Sequence, residues 1–105
     1  MSDQPTKESM RAGFGRGLKR AGDADTRVVA LCGDLTESIN MHVFKEAHPE
    51  RFVLVGVAEQ NLVTVAAGMS AMGKKPFAGS YAAFSPGRNW EQIRTTICLN
   101  DRFVC

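Results

Sequence analysis

The stretch that decides the fold, residues 52–73, reads FVLVGVAEQNLVTVAAGMSAMG. Its first part, residues 52–57, is an apolar run rich in β-branched residues, which is typical of a buried strand. From residue 59 to residue 72 the apolar positions recur in steps of three and four, which predicts a helix with one apolar face. Gly73 stands where the C-terminal cap of that helix belongs. A buried strand followed directly by a helix is the repeating unit of an α/β protein.

The same alternation of strand and helix extends to both sides of this stretch. Before it, we predict a flexible leader at residues 1–6, a helix at 7–21, a strand at 27–32 and a helix from Ser38 as N-cap to about residue 47. After it, we predict a strand running into a loop at 76–84, a helix at about 89–99 and the start of a fourth strand at 102–105. Right-handed crossovers between parallel strands place helices on both faces of the sheet. We therefore predict a three-layer α/β/α fold with a parallel sheet, incomplete at the C-terminus.

Charge and hydropathy narrow the class of protein. The 105 residues carry 13 Lys and Arg against 11 Asp and Glu, a formal net charge of +2, and these residues are scattered along the chain. Nucleic-acid binding needs a basic stripe, so we expect no nucleic-acid partner. The N-terminus lacks a hydrophobic signal core, and no run approaches the roughly 18 apolar residues of a membrane span. We expect a cytoplasmic protein that does not bind membranes.

The cysteines give no sign of a metal site or of a disulfide framework. Cys32, Cys98 and Cys105 are far apart and form no CxxC pair, and neither His42 nor His48 stands near one of them in the sequence. Structural zinc sites and disulfide scaffolds have closely spaced ligands or recurring cysteine patterns. We therefore assign no metal ligand to this chain and expect reduced thiols.

Polar or aromatic residues follow three of the predicted strands. They are Asp34 and Ser38 after the first strand, Glu59 after the second, and Tyr81 and Phe84 after the third. Because the C-terminal ends of parallel strands meet at one edge of the sheet, where α/β proteins bind ligands, we expect these side chains to converge on one crevice.

Each of these residues also has a structural explanation, and spacing alone favours it. Glu59 could complement the dipole at the N-terminus of its helix, which contributes roughly 0.3–1 kcal/mol. Ser38 could be only a helix cap, and Asp34 could only stabilise a turn. Tyr81 and Phe84 could be core aromatics.

An ordered set of short motifs from about residue 11 to residue 105 resembles the pyrimidine-binding domain of transketolase. The motifs are GDLTES at 33–38, RF at 51–52, GVAEQN at 56–61, AAG at 66–68, GKKPF at 73–77, FSPGR at 84–88 and QIR at 92–94. The likeness is greatest to the C-terminal subunit of split bacterial and archaeal transketolases, whose two cofactor-binding domains are separate chains. The resemblance implies that residues 7–105 form the N-terminal part of such a domain.

This resemblance implies binding of thiamine diphosphate, the cofactor used in two-carbon ketol transfer between sugar phosphates. Glu59 matches the catalytic glutamate that hydrogen-bonds N1′ of the cofactor's aminopyrimidine and favours its imino tautomer. Asp34 matches an aspartate at the cofactor site near the dimer interface. Tyr81 and Phe84 match aromatic residues that pack on the pyrimidine ring.

The resemblance also implies substrates and partners. Arg11 and Ser38 match positions that hold the phosphate of the sugar substrate, where a guanidinium can form two charge-assisted hydrogen bonds. The Gly-Asp-Gly…Asn pattern that binds Mg²⁺ and the diphosphate belongs to the partner domain and is not found here. We therefore expect a homo- or hetero-oligomer with a diphosphate-binding transketolase subunit that shares the cofactor and carries the Mg²⁺. On its own, the chain is expected to be inert.

The sequence departs from the family at one position, and two other functions stay open. A further aromatic near the pyrimidine would fall at Gly87 or Arg88, so packing there is expected to be looser or filled otherwise. Another thiamine diphosphate enzyme, such as 1-deoxyxylulose-5-phosphate synthase or the β subunit of a 2-oxoacid dehydrogenase, would keep Glu59 but should differ over residues 80–88. A truncated, non-catalytic module would instead pair its open sheet edge with another chain.

Overall fold

The computed structural model describes residues 5–105; residues 1–4, which belong to the predicted leader, lie outside the described part. The elements are α1 (Met10–Ala24), β1 (Val28–Cys32), α2 (His42–Ala47), a 3₁₀ turn (Pro49–Arg51), β2 (Phe52–Leu54), α3 (Glu59–Ala71), β3 (Lys75–Gly79), α4 (Trp90–Gln92) and a π-helical stretch (Ile93–Cys98). Strands and helices alternate as predicted. Within residues 5–105, no helix combines the length and apolar character that crossing a membrane requires.

Strand β1 is the central strand of a parallel sheet with the order β2-β1-β3. Ala30 in its middle pairs with Phe52 of β2 on one side and with Phe77 of β3 on the other. Every residue of β1 is buried, as expected for a parallel strand that is covered on both faces. The C-terminal ends of the three strands consequently lie at one edge of the sheet.

Two apolar layers cover the faces of the sheet, and successive residues of β1 alternate between them. The layer under α1 and α2 consists of Leu18, Val28, Ala30, Cys32, Ile39, Met41 and Phe44. The layer under α3 consists of Val29, Leu31, Leu62 and Ala66. Full burial of a large aliphatic or aromatic side chain contributes roughly 1.5–3 kcal/mol, so these layers are the main source of stability. The predicted three-layer α/β/α architecture is confirmed.

Helix α1 begins later than predicted, because Ser9 caps it. The Ser9 side chain accepts a hydrogen bond from the Ala12 N–H. Two of the glycines in α1 allow it to pack closely on the segment that contains α2. A Cβ atom at Gly15 would lie 2.7 Å from the carbonyl oxygen of Asn40, and one at Gly22 would lie 2.6 Å from Cε2 of Phe44.

The prediction that Ser38 caps a helix over residues 38–47 is wrong. Helix α2 begins only at His42, its N-cap is Met41, and no side chain makes the capping hydrogen bond. Before it, the chain forms successive turns, in which the Met41 N–H donates to the Thr36 carbonyl. Asn40 has a φ of 58°, a left-handed conformation that interrupts a helix. Ser38 therefore lies in a loop at the C-terminal edge of the sheet.

Three other boundaries differ from the prediction. Strand β2 is predicted over residues 52–57 but ends at Leu54, the last of its residues in register with β1. The last predicted helix is α-helical only at Trp90–Gln92 and continues as a π-helix. Residues 102–105 are not a regular strand, but Cys105 hydrogen-bonds to Pro76 and Ala78 of β3 in the manner of a parallel neighbour.

Candidate functional site

Glu59 is the first residue of α3 and lies at the C-terminal edge of the sheet. Only 5% of it is exposed to solvent. Its Oε2 faces the end of β1, where a Cβ atom on Gly33 would lie 3.6 Å away. An acidic residue in the first turn complements the helix dipole, and the N-cap residue Ala58 makes no side-chain capping hydrogen bond. Glu59 is thus a buried carboxylate positioned by the start of a helix.

The second carboxylate oxygen of Glu59 is bound by Arg88. Nη1 of Arg88 donates to Oε1 at 3.0 Å, and 56% of the arginine side chain is exposed. The guanidinium carbon lies 4.4 Å from the centroid of the Phe84 ring, within the range of a cation–π contact. Arg88 therefore joins the buried acid to the aromatic loop that follows β3.

Asn89 fastens the same loop to the first turn of α3. Its side chain is fully buried, and Nδ2 donates to the Glu59 carbonyl at 3.1 Å and to Oγ of Ser85 at 2.9 Å. Its Oδ1 is buried and accepts no hydrogen bond from any residue in the described part of the chain. The two bonds from Nδ2 connect the loop to the first turn of α3 at Glu59.

An open pocket of about 460 Å³ lies beside this acid. Its lining consists of Ala58, Glu59, Gln60, Asn61 and Arg88. The volume falls within the range of small-molecule sites. Acceptor and amide groups around an open space of this size can bind a small, flat, hydrogen-bonding ligand.

Tyr81 and Phe84 form a stacked pair in the adjoining loop. Their ring centroids are 6.1 Å apart, and the ring planes are inclined by 27°. Tyr81 is exposed and Phe84 is half-buried, so neither is a fully buried core residue. The pair connects to Glu59 through Arg88, which contacts the Phe84 ring.

The remaining predicted residues lie in a second group rather than around Glu59. Nη1 of Arg11 donates to the backbone carbonyl of Ser38 at 3.2 Å. Asp34 is exposed at the end of β1 with a φ of 64°, and it lines a pocket of about 410 Å³ together with Ser38 and Lys45. The expectation that all three strand ends form one crevice is thus met only by the groups near Glu59. Asp34 and Ser38 line a separate pocket.

Two residues of the Glu59 group were missed by sequence reasoning. The sequence marks Arg88 as part of the FSPGR motif and as the position of an absent aromatic, and Asn89 as the start of a helix, but it gives neither of them a contact with Glu59. The spacing of Phe84 and Arg88 is compatible with a contact between them. Nothing local could reveal that Arg88 and Asn89 bind Glu59, because these contacts span about thirty residues of sequence. Within residues 5–105, no three His, Cys, Asp or Glu side chains cluster as a metal site.

The chain is similar to proteins of the transketolase family and to a related synthase. The family model "Transketolase, pyrimidine binding domain" matches residues 6–104. An uncharacterised transketolase family protein of Sinorhizobium fredii is 40% identical over 99% of this chain and 30% of its own length. A 1-deoxy-D-xylulose-5-phosphate synthase of Nitratidesulfovibrio vulgaris is 38% identical over 92% of this chain and 15% of its own.

A solved structure has the same fold. It is a split-gene transketolase described as an inactive β4 tetramer, and it matches with a TM-score of 0.81 at 44% identity. The match covers 90% of this chain and 31% of that one. The chain thus spans less than a third of the length of each of these three relatives.

Proposed function

Because this chain belongs to the family of transketolase pyrimidine-binding domains, we propose that it is the pyrimidine-binding part of a thiamine diphosphate-dependent transketolase. The observation that carries the proposal is the buried Glu59 carboxylate beside an open pocket of about 460 Å³. The activity proposed for the whole enzyme is the transfer of a two-carbon ketol unit between sugar phosphates.

The residues of this pocket fit an aminopyrimidine. A carboxylate is an acceptor for the ring and amino N–H groups of such a ligand, and Glu59 lines the pocket. The stacked pair of Tyr81 and Phe84 in the adjoining loop offers an aromatic face for a flat ring.

Glu59 has the catalytic role in this proposal. When bound, thiamine diphosphate supplies the carbon nucleophile that carries the two-carbon unit. Glu59 holds a proton shared with N1′ of the aminopyrimidine, and its burial keeps water from competing for that hydrogen bond. The start of α3 fixes the position of the acid, and the Asn89 bonds hold the aromatic loop beside it.

The second group of residues is proposed to bind the sugar phosphate and the outer part of the cofactor. Arg11 uses one N–H for the Ser38 carbonyl, and a guanidinium has further donors for phosphate oxygens. Ser38 provides a hydroxyl in the same loop. Asp34 is proposed to contact the cofactor near a subunit interface, since it is exposed at the sheet edge.

The proposed partner is a diphosphate-binding transketolase subunit that carries the Mg²⁺. The solved relative at 44% identity is a split-gene transketolase whose β4 tetramer is described as inactive. This likeness supports an active site that needs a second kind of chain, and it supports an oligomeric assembly.

The experiment that tests the function compares the wild type with Glu59→Gln. Each is mixed with a diphosphate-binding transketolase subunit, thiamine diphosphate is titrated by calorimetry, and ketol transfer from a ketose phosphate is measured. We expect binding and turnover for the wild-type mixture and a turnover at least ~100-fold lower for Glu59→Gln, since a positioned proton-transfer group contributes about 10²–10⁴-fold. The matched control is Glu91→Gln, which alters an exposed acid in α4. Equal turnover in the two variants would contradict the assigned role.

A second candidate function is supported by the relative that makes 1-deoxy-D-xylulose 5-phosphate. That enzyme type would use the same Glu59 pocket with different substrates. Formation of 1-deoxy-D-xylulose 5-phosphate by the same mixture, with no ketol transfer between sugar phosphates, would favour this candidate over transketolase.

A further inference from the structure

We propose that Arg88 is a gate residue of the Glu59 pocket, which must leave the carboxylate before a ligand can bind there. The gate is the contact of the Arg88 guanidinium with Glu59 and Phe84. The proposal rests on the proposed function, because the ligand concerned is an aminopyrimidine.

The two oxygens of Glu59 face different surroundings. Oε2 faces the buried Gly33, 3.6 Å from where a Cβ atom on that residue would lie. Oε1 accepts the hydrogen bond from Arg88, and both residues line the pocket. A ligand that donates to Glu59 from the pocket therefore has to approach the oxygen that Arg88 already binds.

Arg88 covers a second partner of the ligand at the same time. Its guanidinium carbon lies 4.4 Å from the centroid of the Phe84 ring. A planar guanidinium on an aromatic face occupies the position where another flat group could stack. The Arg88 side chain thus binds the hydrogen-bond acceptor and covers the aromatic face that an aminopyrimidine would use.

Of the two partners in the ion pair, Arg88 is the one that can move. The Arg88 side chain is 56% exposed, whereas the Glu59 side chain is only 5% exposed. Glu59 is also the first residue of α3. Rotation of Arg88 into solvent leaves no cavity in the core. Rotation of Glu59 would require α3 or the end of β1 to shift.

The first test needs no ligand. Unfolding in urea is measured for the wild type, Glu59→Gln, Arg88→Gln and the double variant, as a double-mutant cycle. We expect the two sites to be coupled by about fivefold in the unfolding equilibrium constant, a typical value for residues in direct contact. Additive effects would show that the ion pair does not hold the gate and would overturn the proposal.

The second test measures binding of thiamine, which carries the aminopyrimidine but no diphosphate. The probe is the fluorescence of Trp90, the chain's one tryptophan, supported by calorimetry. We expect Arg88→Gln to bind thiamine about fivefold more tightly than the wild type, because a closed state that excludes ligand lowers apparent affinity by the fraction that is open. Arg88→Lys, which keeps the charge but loses the planar fork, should lie between them.

The charge-matched control is Arg94→Gln, which removes an exposed arginine further along the same segment and should bind thiamine as the wild type does. The gate would be overturned if Arg88→Gln bound thiamine no more tightly than the wild type does. If the wild type bound thiamine and Glu59→Gln did not, the proposed function would still stand. A lack of thiamine binding by every one of these proteins would overturn the gate, whereas the proposed function is decided by ketol transfer in the mixture with a diphosphate-binding subunit.

Discussion

At the scale of single residues, Glu59 shows how a buried carboxylate is stabilised by its surroundings. A buried carboxylate is costly unless it is paired or hydrogen-bonded. Here the start of α3 and the Arg88 guanidinium compensate for its burial. The local sequence predicts that a glutamate stands between a strand and a helix. It does not predict which cation from another loop will reach it.

Loss of the Asn89 side chain should loosen the site, because it bonds to both Glu59 and Ser85. We expect Asn89→Ala to lower the free energy of unfolding by about 2–3 kcal/mol, because it removes two hydrogen bonds and leaves the half-buried hydroxyl of Ser85 without its donor. Urea denaturation measures this loss. Asn100→Ala is the control, since Asn100 is exposed and bonds only to carbonyls of the preceding turns. An equal loss in both variants would argue against a fastening role for Asn89.

At the scale of elements, α1 shows that helix propensity alone does not decide where a helix forms. Its glycines weaken it as an isolated helix by roughly 1 kcal/mol each relative to alanine. Two of them instead lie where α1 meets the segment that contains α2. The close approach of the two elements offsets what the glycines cost, and only the folded structure shows which glycines take part.

This difference predicts opposite effects for two glycines in the same helix. Gly22→Ala places a methyl group 2.6 Å from Phe44 and should destabilise the protein by about 1–3 kcal/mol through overpacking. Gly17→Ala meets no atom within 4 Å and should stabilise it by roughly 0.5–1 kcal/mol through helix propensity. Thermal or urea unfolding of the two variants checks both signs. Stabilisation by both would mean that α1 and α2 do not pack as described.

The helix boundaries that were predicted wrongly have physical causes that the periodicity of the sequence does not reveal. Asn40 adopts a left-handed conformation, which delays α2. In the last helix, the hydroxyls of Thr95 and Thr96 donate to carbonyls four residues earlier, which takes acceptors from the α-helical ladder. That competition accompanies the π-helical geometry of Ile93–Cys98.

At the scale of the whole molecule, the Glu59 pocket is open to solvent and lined by only five residues of the described part of the chain. This geometry suits a site that a second subunit completes. We therefore expect the purified chain, supplied with thiamine diphosphate and Mg²⁺ alone, to show no ketol transfer, and activity to appear when a diphosphate-binding transketolase subunit is added. A coupled assay of sugar-phosphate conversion checks this. Turnover by the chain alone would contradict the division of the site between two chains.

The sequence by itself determined the alternation of strands and helices, the parallel sheet and the position of Glu59 at the end of a strand. These features follow from local periodicity and from the rule that parallel strands end at one edge. Only the tertiary structure decided that Arg88 and Asn89 bind Glu59 and that Asp34 and Ser38 line a separate pocket. The reason is that these contacts join loops far apart in sequence, whose relative positions depend on how the helices pack on both faces of the sheet.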